Sequence, residues 1–317
     1  MCTSMAMKAD GFYFGRNLDL EYDFGQRVVI TPRDFSFHFR CDAPISHHPA
    51  IIGMATVVDG YPLYADAVNE HGLCVAGLNF PHSAYYYPDP SESRRNISPF
   101  ELIPWLLCHC RSVEEAKRLL AKTRLVAIPF SESLPLAPLH WHIADAAASI
   151  VVEPTESGLR IYDNPIGVLT NEPPFPFHRD NLCRYLHLSP APPQNHLSKI
   201  HGIRPFGAGM GAIGLPGDAS SPSRFVRAAF SLHHSQIADP AHESACVGQF
   251  FHLLSSVEML RGSVILTDGR LEYTRYSSCI NAHRGIYYYT TYDNRAIRSV
   301  ELRGREAGAE LWEVSLE

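Results

Sequence analysis

Cys2 stands directly behind the initiator in Met1-Cys2-Thr3-Ser4, and initiator methionine is normally removed when the second residue is small. The thiol would then share its residue with a free α-amine, whose ordinary pKa of ~7.7–8.0 lets it serve as a base at neutral pH without burial or a partner. A nucleophile that carries its own base is the N-terminal-nucleophile route to acyl transfer. Position alone does not establish it, since a strand thiol near a chain start is ordinarily a packing residue. The stretch Phe14-Gly15-Arg16-Asn17-Leu18-Asp19 adds the missing context. A strand returning antiparallel to residues 2–7 brings it back beside Cys2. Arg16 would there favour the thiolate, and Asp19 would hold the amine in place. The plain alternative is a hairpin ion pair at the surface, a nearly neutral feature.

Those positions depend on the elements that carry them. Alternating or β-rich runs predict strands over 3–7, 12–17, 26–31, 51–58 and 73–80. Ser98-Pro99-Phe100-Glu101 and Ser112-Val113-Glu114-Glu115 each read as a helix start with a capping acid. Strands follow at 139–144, 150–153 and 159–162, then helices over 177–187, 223–234 and 245–260. A meander over 271–280, 285–292 and 296–302 ends the pattern. Helices in two groups between three groups of strands predict a layered α+β fold and not alternating βαβ units. No repeat is visible. The Pro-, Gly- and His-rich stretch 189–214 reads as a long excursion from a single domain over 1–317.

Composition bounds the function. With 27 Lys+Arg against 33 Asp+Glu, the net charge is −6, the wrong sign for a concentrated basic nucleic-acid face. The longest apolar run, near 50–58, is about half the length of a membrane span. The start shows no basic region followed by an apolar core, so no secretory signal is expected, and the chain reads as cytoplasmic. The eight cysteines are scattered and are expected as free thiols. Cys108-His109-Cys110 has no second ligand pair at finger-like spacing and reads as core, so no metal is expected. His140-Trp141-His142 puts two imidazoles on one strand face and reads as polar strand residues. Gly209-Met210-Gly211-Ala212-Ile213-Gly214 matches a dinucleotide fingerprint but runs into Leu215-Pro216-Gly217-Asp218, which breaks the helix that fingerprint needs, so no nucleotide cofactor is expected.

Taken in order, several separated motifs resemble the choloylglycine hydrolase family, the N-terminal-cysteine hydrolases that include bile salt hydrolases and penicillin V acylases. They are Met1-Cys2-Thr3, Gly15-Arg16-Asn17-Leu18-Asp19, Asn69-Glu70-His71-Gly72-Leu73, Ala76-Gly77-Leu78-Asn79-Phe80-Pro81 and Val168-Leu169-Thr170-Asn171. Gly214-Leu215-Pro216-Gly217-Asp218, Ser223-Arg224-Phe225 and Tyr287-Tyr288-Tyr289 complete the series. The resemblance implies a four-layer αββα fold, two stacked antiparallel sheets flanked by helices, working without a cofactor. It implies Cys2 as nucleophile with its own amine as base, flanked by Arg16 and Asp19. Asn79 would supply an oxyanion donor, and Asn171 and Arg224 would complete the polar network. Without the resemblance, Asn79 and Asn171 would read as turn residues.

Within the family, Asn79 and the Gly77-Leu78-Asn79-Phe80-Pro81 run resemble the bile-salt members. Leu20, Tyr22, Tyr64 and Leu134 fall where the family's pocket loops lie and would form an apolar wall suited to a steroid; ordinary core packing is the alternative for each. The excursion at 189–214 corresponds to a segment used in tetramer assembly, although it is richer in proline here. The expected activity is hydrolysis of glycine- or taurine-conjugated bile salts. The alternatives are the same chemistry on penicillin V or another N-acyl amide such as an acyl-homoserine lactone, and an inactive binding homologue.

Overall fold

A computed structural model of the protein describes residues 1–197 and 202–316. The chain opens with β1 (Cys2–Lys8), β2 (Phe12–Leu20), β3 (Arg27–Thr31), β4 (Ile51–Val58), β5 (Tyr61–Asn69) and β6 (Cys74–Asn79). Next come β7 (Arg95–Ile97), α1 (Leu102–His109), α2 (Val113–Leu120) and β8 (Thr123–Leu125). They are followed by β9 (Leu139–Ala144), β10 (Ser149–Thr155), β11 (Gly158–Asp163) and β12 (Val168–Leu169). Three helices follow, α3 (Phe175–Asn181), α4 (Ser221–His234) and α5 (Glu243–Ser255). The chain closes with β13 (Val264–Ile265), β14 (Leu271–Asn281), β15 (Ile286–Thr291), β16 (Arg298–Glu301) and β17 (Trp312–Val314).

Among the described residues, two antiparallel sheets dominate. One runs β12-β1-β2-β14-β15-β16, with β13 on β14; the other runs β11-β10-β9-β6-β5-β4-β3-β17. Helix α1 packs on β5 and β6, whereas α4 and α5 pack on β1, β2, β12 and β14 of the opposite sheet. This is the expected αββα layering. Two apolar clusters hold it together. One gathers the facing sheets and the α4–α5 side around Phe14, Met54, Leu78, Phe225 and Phe250; the other lies between the second sheet and α1, around Trp105, Leu106 and Trp141.

Strand β2 is buried along almost its whole length because it lies between both neighbours, sheet below and helix above. Its even positions face the other sheet: Phe14 meets His142 of β9 edge-on, and Arg16 reaches the Gly77 carbonyl of β6. Its odd positions face the helices, where Asn17 Nδ2 donates to the Leu254 carbonyl of α5 at 2.8 Å. This period of two puts charge on both faces of a buried strand. The contact with β14 needs Gly15, since a Cβ there would lie 1.9 Å from the Ser278 carbonyl oxygen.

Several elements differ from expectation. Strands β5, β7, β8, β12, β13 and β17 were not among the expected strands. The helix expected over 177–187 is split into α3 and a 3₁₀ segment, Leu182–Tyr185. The helix expected over 245–260 stops at Ser255. The Gly209 fingerprint opens only a single 3₁₀ turn, Met210–Ala212, in keeping with its proline-broken context. Residues 198–201 of the expected excursion lie outside the described residues.

Candidate active site

Cys2 opens β1 and is buried, 4% exposed, at the end of the sheet where β2 finishes. The β1–β2 register sets Cys2 against Leu18 and Ser4 against Arg16. Directly opposed residues share a face, so the Cys2 thiol and the Arg16 guanidinium both point between the sheets. The Ser4 hydroxyl confirms that direction by meeting His142 Nδ1 of the other sheet at 2.8 Å.

The Cys2 backbone is held by groups far away in sequence. Its nitrogen donates to Asn171 Oδ1 at 2.8 Å, and its carbonyl accepts from Arg224 Nη1 at 2.5 Å. Arg224 also donates to Thr3 Oγ1, Asn171 Oδ1 and the Ala219 carbonyl at 2.6, 2.7 and 2.9 Å. Asn171 Nδ2 donates to the Asn79 carbonyl at 2.8 Å, which ties the end of β6 to the same cluster. One carboxamide therefore links Cys2, Arg224 and Asn79. Asn79 itself ends β6, half-buried, and its side-chain amide makes no hydrogen bond among the described residues.

Buried ionisable groups gather at this point, among them Arg16, Arg224, Asp19 and Asp66. Burial works to lower the Arg16 pKa, but the charges of Cys2, Tyr276, Asp66 and Asp19 outweigh it and the net shift is upward. Burial lowers Arg224, with Asp19 and Cys2 opposing. Arg16 Nη1 donates to the Ala65 and Gly77 carbonyls at 3.1 and 2.5 Å, while its Nε and Nη2 have no hydrogen-bond partner among the described residues. Asp19 Oδ1 accepts from Thr274 Oγ1 at 2.6 Å, and its buried Oδ2 is without a partner among the described residues. Two unsatisfied cationic donors and one unsatisfied anionic acceptor are costly in a dry interior. Such groups are the ones a reacting amine, thiolate or substrate would satisfy.

Sequence reasoning did not single out Asp66. Its carboxylate accepts from Tyr276, Tyr287 and Ser278 at 2.5, 2.6 and 3.3 Å; burial pushes its pKa up, against Arg16 and those hydroxyl donors. The signal was present as a lone acid in Tyr61-Pro62-Leu63-Tyr64-Ala65-Asp66-Ala67-Val68. Met1, still attached, occupies the next ladder position, with its carbonyl accepting from the Asp19 N–H at 3.0 Å. Its ammonium donates to the Asp19 carbonyl at 2.9 Å, pairs with Glu272, and is lowered in pKa by burial.

Three residues expected to form an apolar wall lie on segments at the Cys2 end of the sheets. Leu20 ends β2 two residues beyond Leu18, so it lies at the Cys2 end of the sheet, and the half-exposed Tyr22 follows it. Leu134 is exposed in the segment leading to Leu139, which pairs with Asn79. Tyr64 is a correction. The β4–β5 register shifts by one residue at Ala65, which turns Tyr64 to the face it shares with Ala67, in the α1-side cluster. There its hydroxyl meets Thr31 Oγ1 at 2.8 Å, away from Cys2.

Two stacked sheets covered by helices, with a cysteine opening the inner edge of the first strand, define the N-terminal-nucleophile class of amide hydrolases. Within that class the assignment is direct: residues 2–308 match the linear amide C–N hydrolases, choloylglycine hydrolase family, and the chain belongs to that family. It is 51% identical over 302 residues to the bile salt hydrolase/transferase of Lactiplantibacillus plantarum, covering 95% of this chain and 92% of that one. It superposes on the crystal structure of the C2A mutant of conjugated bile acid hydrolase from Clostridium perfringens with a TM-score of 0.91 at 38% identity, covering 99% of this chain and 96% of that one. Penicillin V acylase from Agrobacterium tumefaciens shares the fold, with a TM-score of 0.77 at 20% identity and coverage of 100% and 92%.

Proposed function

We propose that the protein hydrolyses the amide bond of glycine- or taurine-conjugated bile salts. The observation that carries this reading is the grip of Asn171 and Arg224 on the Cys2 backbone, 2.8 and 2.5 Å away, at the mouth of a buried charge cluster. Once Met1 is removed, the Cys2 nitrogen becomes an amine facing Asn171 Oδ1, with the unpartnered Asp19 Oδ2 in the same cluster. The amine takes the thiol proton, and the sulfur attacks the amide carbonyl. The Asn79 carboxamide receives the developing oxyanion. The ammonium then protonates the departing nitrogen of glycine or taurine, leaving a thioester on Cys2. Water, deprotonated by the same amine, cleaves the thioester and releases the free bile acid.

The steroid class is supported by the relatives named above and by exposed apolar side chains, Tyr22 and Leu134, at the Cys2 end of the sheets. Parallel assays with glycocholate and penicillin V test it: glycocholate is expected to be the better substrate by at least about tenfold in kcat/KM, roughly 1.4 kcal/mol of barrier. Preference for penicillin V would overturn the substrate assignment and leave the chemistry standing.

The reading extends to one catalytic domain over the whole chain, acting in the cytoplasm as a homotetramer. Eight free cysteines, with Cys183 exposed, suit a reducing compartment. Leu186 and Phe206, 83% and 93% exposed, stand out between α3 and α4 together with Ile203 and Ile213. Apolar surface of that kind calls for a cover, and a second copy supplies it. Native mass spectrometry reads two expectations at once: chains lighter by one methionine, and an assembly of four. An active species that retains Met1 would sink the mechanism, since an amide nitrogen takes up no proton.

A further inference from the structure

The proposed mechanism uses the side chain of Asn171 and leaves its backbone unexplained. Every polar group of that residue is partnered. Its side chain binds Cys2, Arg224 and Asn79, and its N–H donates to Ser221 Oγ at 2.8 Å. Its carbonyl accepts from His178 Nε2 at 2.8 Å. The preceding carbonyl, of Thr170, meets His140 Nε2 at 3.0 Å. Two buried imidazoles therefore grip two consecutive peptide units, and His178 holds the one that carries Asn171.

The environment of His178 fits a role as donor better than a role as filler. Its ring stacks on Phe225 with centroids 4.8 Å apart and planes 22° apart, and Phe225 follows Arg224 in α4. Because a carbonyl only accepts, the ring must carry its proton on Nε2. Nδ1 is buried without a hydrogen bond among the described residues, and the Pro173 backbone would favour only a protonated ring. Burial lowers the His178 pKa to about 4, helped by the neighbouring His140 and Arg224, so the ring is neutral at working pH. A phenylalanine would stack on Phe225 equally well and would bury no orphan nitrogen. The histidine costs stability here, and what it adds is one N–H aimed at Asn171.

We infer that His178 is a positioning residue for amide cleavage: by holding the Asn171 carbonyl it fixes the Asn171 carboxamide between the Cys2 nitrogen and Asn79. The inference rests on the reading of Cys2 as nucleophile and deepens it. Losing this grip frees the peptide to rotate and lets the Cys2 amine drift. Small misplacements of a reacting group can cost up to about 100-fold in rate.

The experiment is steady-state hydrolysis of glycocholate by His178→Phe, His178→Gln and His178→Asn, alone and combined with Asn171→Ala. His178→Phe is expected to lower kcat by roughly 10- to 100-fold with KM held within about threefold, since no substrate contact is removed. Gln, whose amide nitrogen reaches about as far as Nε2, is expected to restore most of kcat, and Asn, one methylene shorter, to resemble Phe. On the Asn171→Ala background, His178→Phe is expected to add nothing, because both act through one group. Should the Phe variant not fold, the Gln–Asn contrast carries the test alone. Parent-like kcat in His178→Phe or His178→Asn, or losses that add to those of Asn171→Ala, would overturn the inference. A fully active Cys2→Ser enzyme would instead remove the reading beneath it.

Discussion

Cys2→Ser is expected to lower turnover of glycocholate by about 100-fold or more, at least about 2.7 kcal/mol of barrier, while leaving its binding intact. The substitution keeps the α-amine and nearly the same shape. An alcohol is far less acidic than a thiol, so the base on the same residue cannot ionise it to a useful extent. The hydrogen bonds that hold the site together do not involve the sulfur. Asn171 and Arg224 hold the Cys2 backbone, and Asp66 is satisfied by tyrosine and serine hydroxyls on β14 and β15. Single-turnover hydrolysis and calorimetric binding on one preparation decide it, with loss of Met1 checked by mass. Hydrolysis near the parent rate would mean that Cys2 is not the nucleophile. Loss of both binding and hydrolysis would make Cys2 a structural residue.

What the sequence made legible follows the range of the interactions. The hairpin that brings Arg16 and Asp19 back towards Cys2 spans fewer than 20 residues, and its period of two is visible in the residues themselves. Asn171 and Arg224 meet Cys2 across 169 and 222 positions, Asn79 joins them through Asn171 across 92, and no local pattern encodes such meetings. Only ordered resemblance to a known family pointed to them. Tyr64 shows the converse failure. Resemblance placed it among the pocket loops, and one bulge residue, Ala65, turns it to the α1-side face of β5. Strand β5 was missed because it is buried on both faces over its second half, so polar and apolar residues do not alternate there. The paired imidazoles of β9 were seen as one strand face, and that placement holds. Their partners, Thr170 for His140 and Ser4 with Ser149 for His142, were out of reach of any local reading.

Arg16→Lys should cost comparably in activity, for a different reason. The Arg16 side chain crosses from one sheet to the other, wholly buried, and spends Nη1 on two β5 and β6 carbonyls while Nε and Nη2 stay unpartnered. A guanidinium can do this because its donors are spread over a rigid fork. A lysine ammonium is a single point: it can satisfy the Ala65 and Gly77 carbonyls or stand beside the Cys2 sulfur, and not both. Buried cations balance buried acids here, so a misplaced charge also leaves Asp66 and Asp19 poorly compensated. The expected result is a fall in kcat/KM of about 100-fold, roughly 2.7 kcal/mol. Stability by urea denaturation should drop by about 1–3 kcal/mol, since buried carbonyls or carboxylates lose partners. The circular dichroism spectrum should not change, because both sheets retain their ladders. Activity within a few-fold of the parent would show that charge alone suffices at this position, and the fork would then have no part in holding the nucleophile.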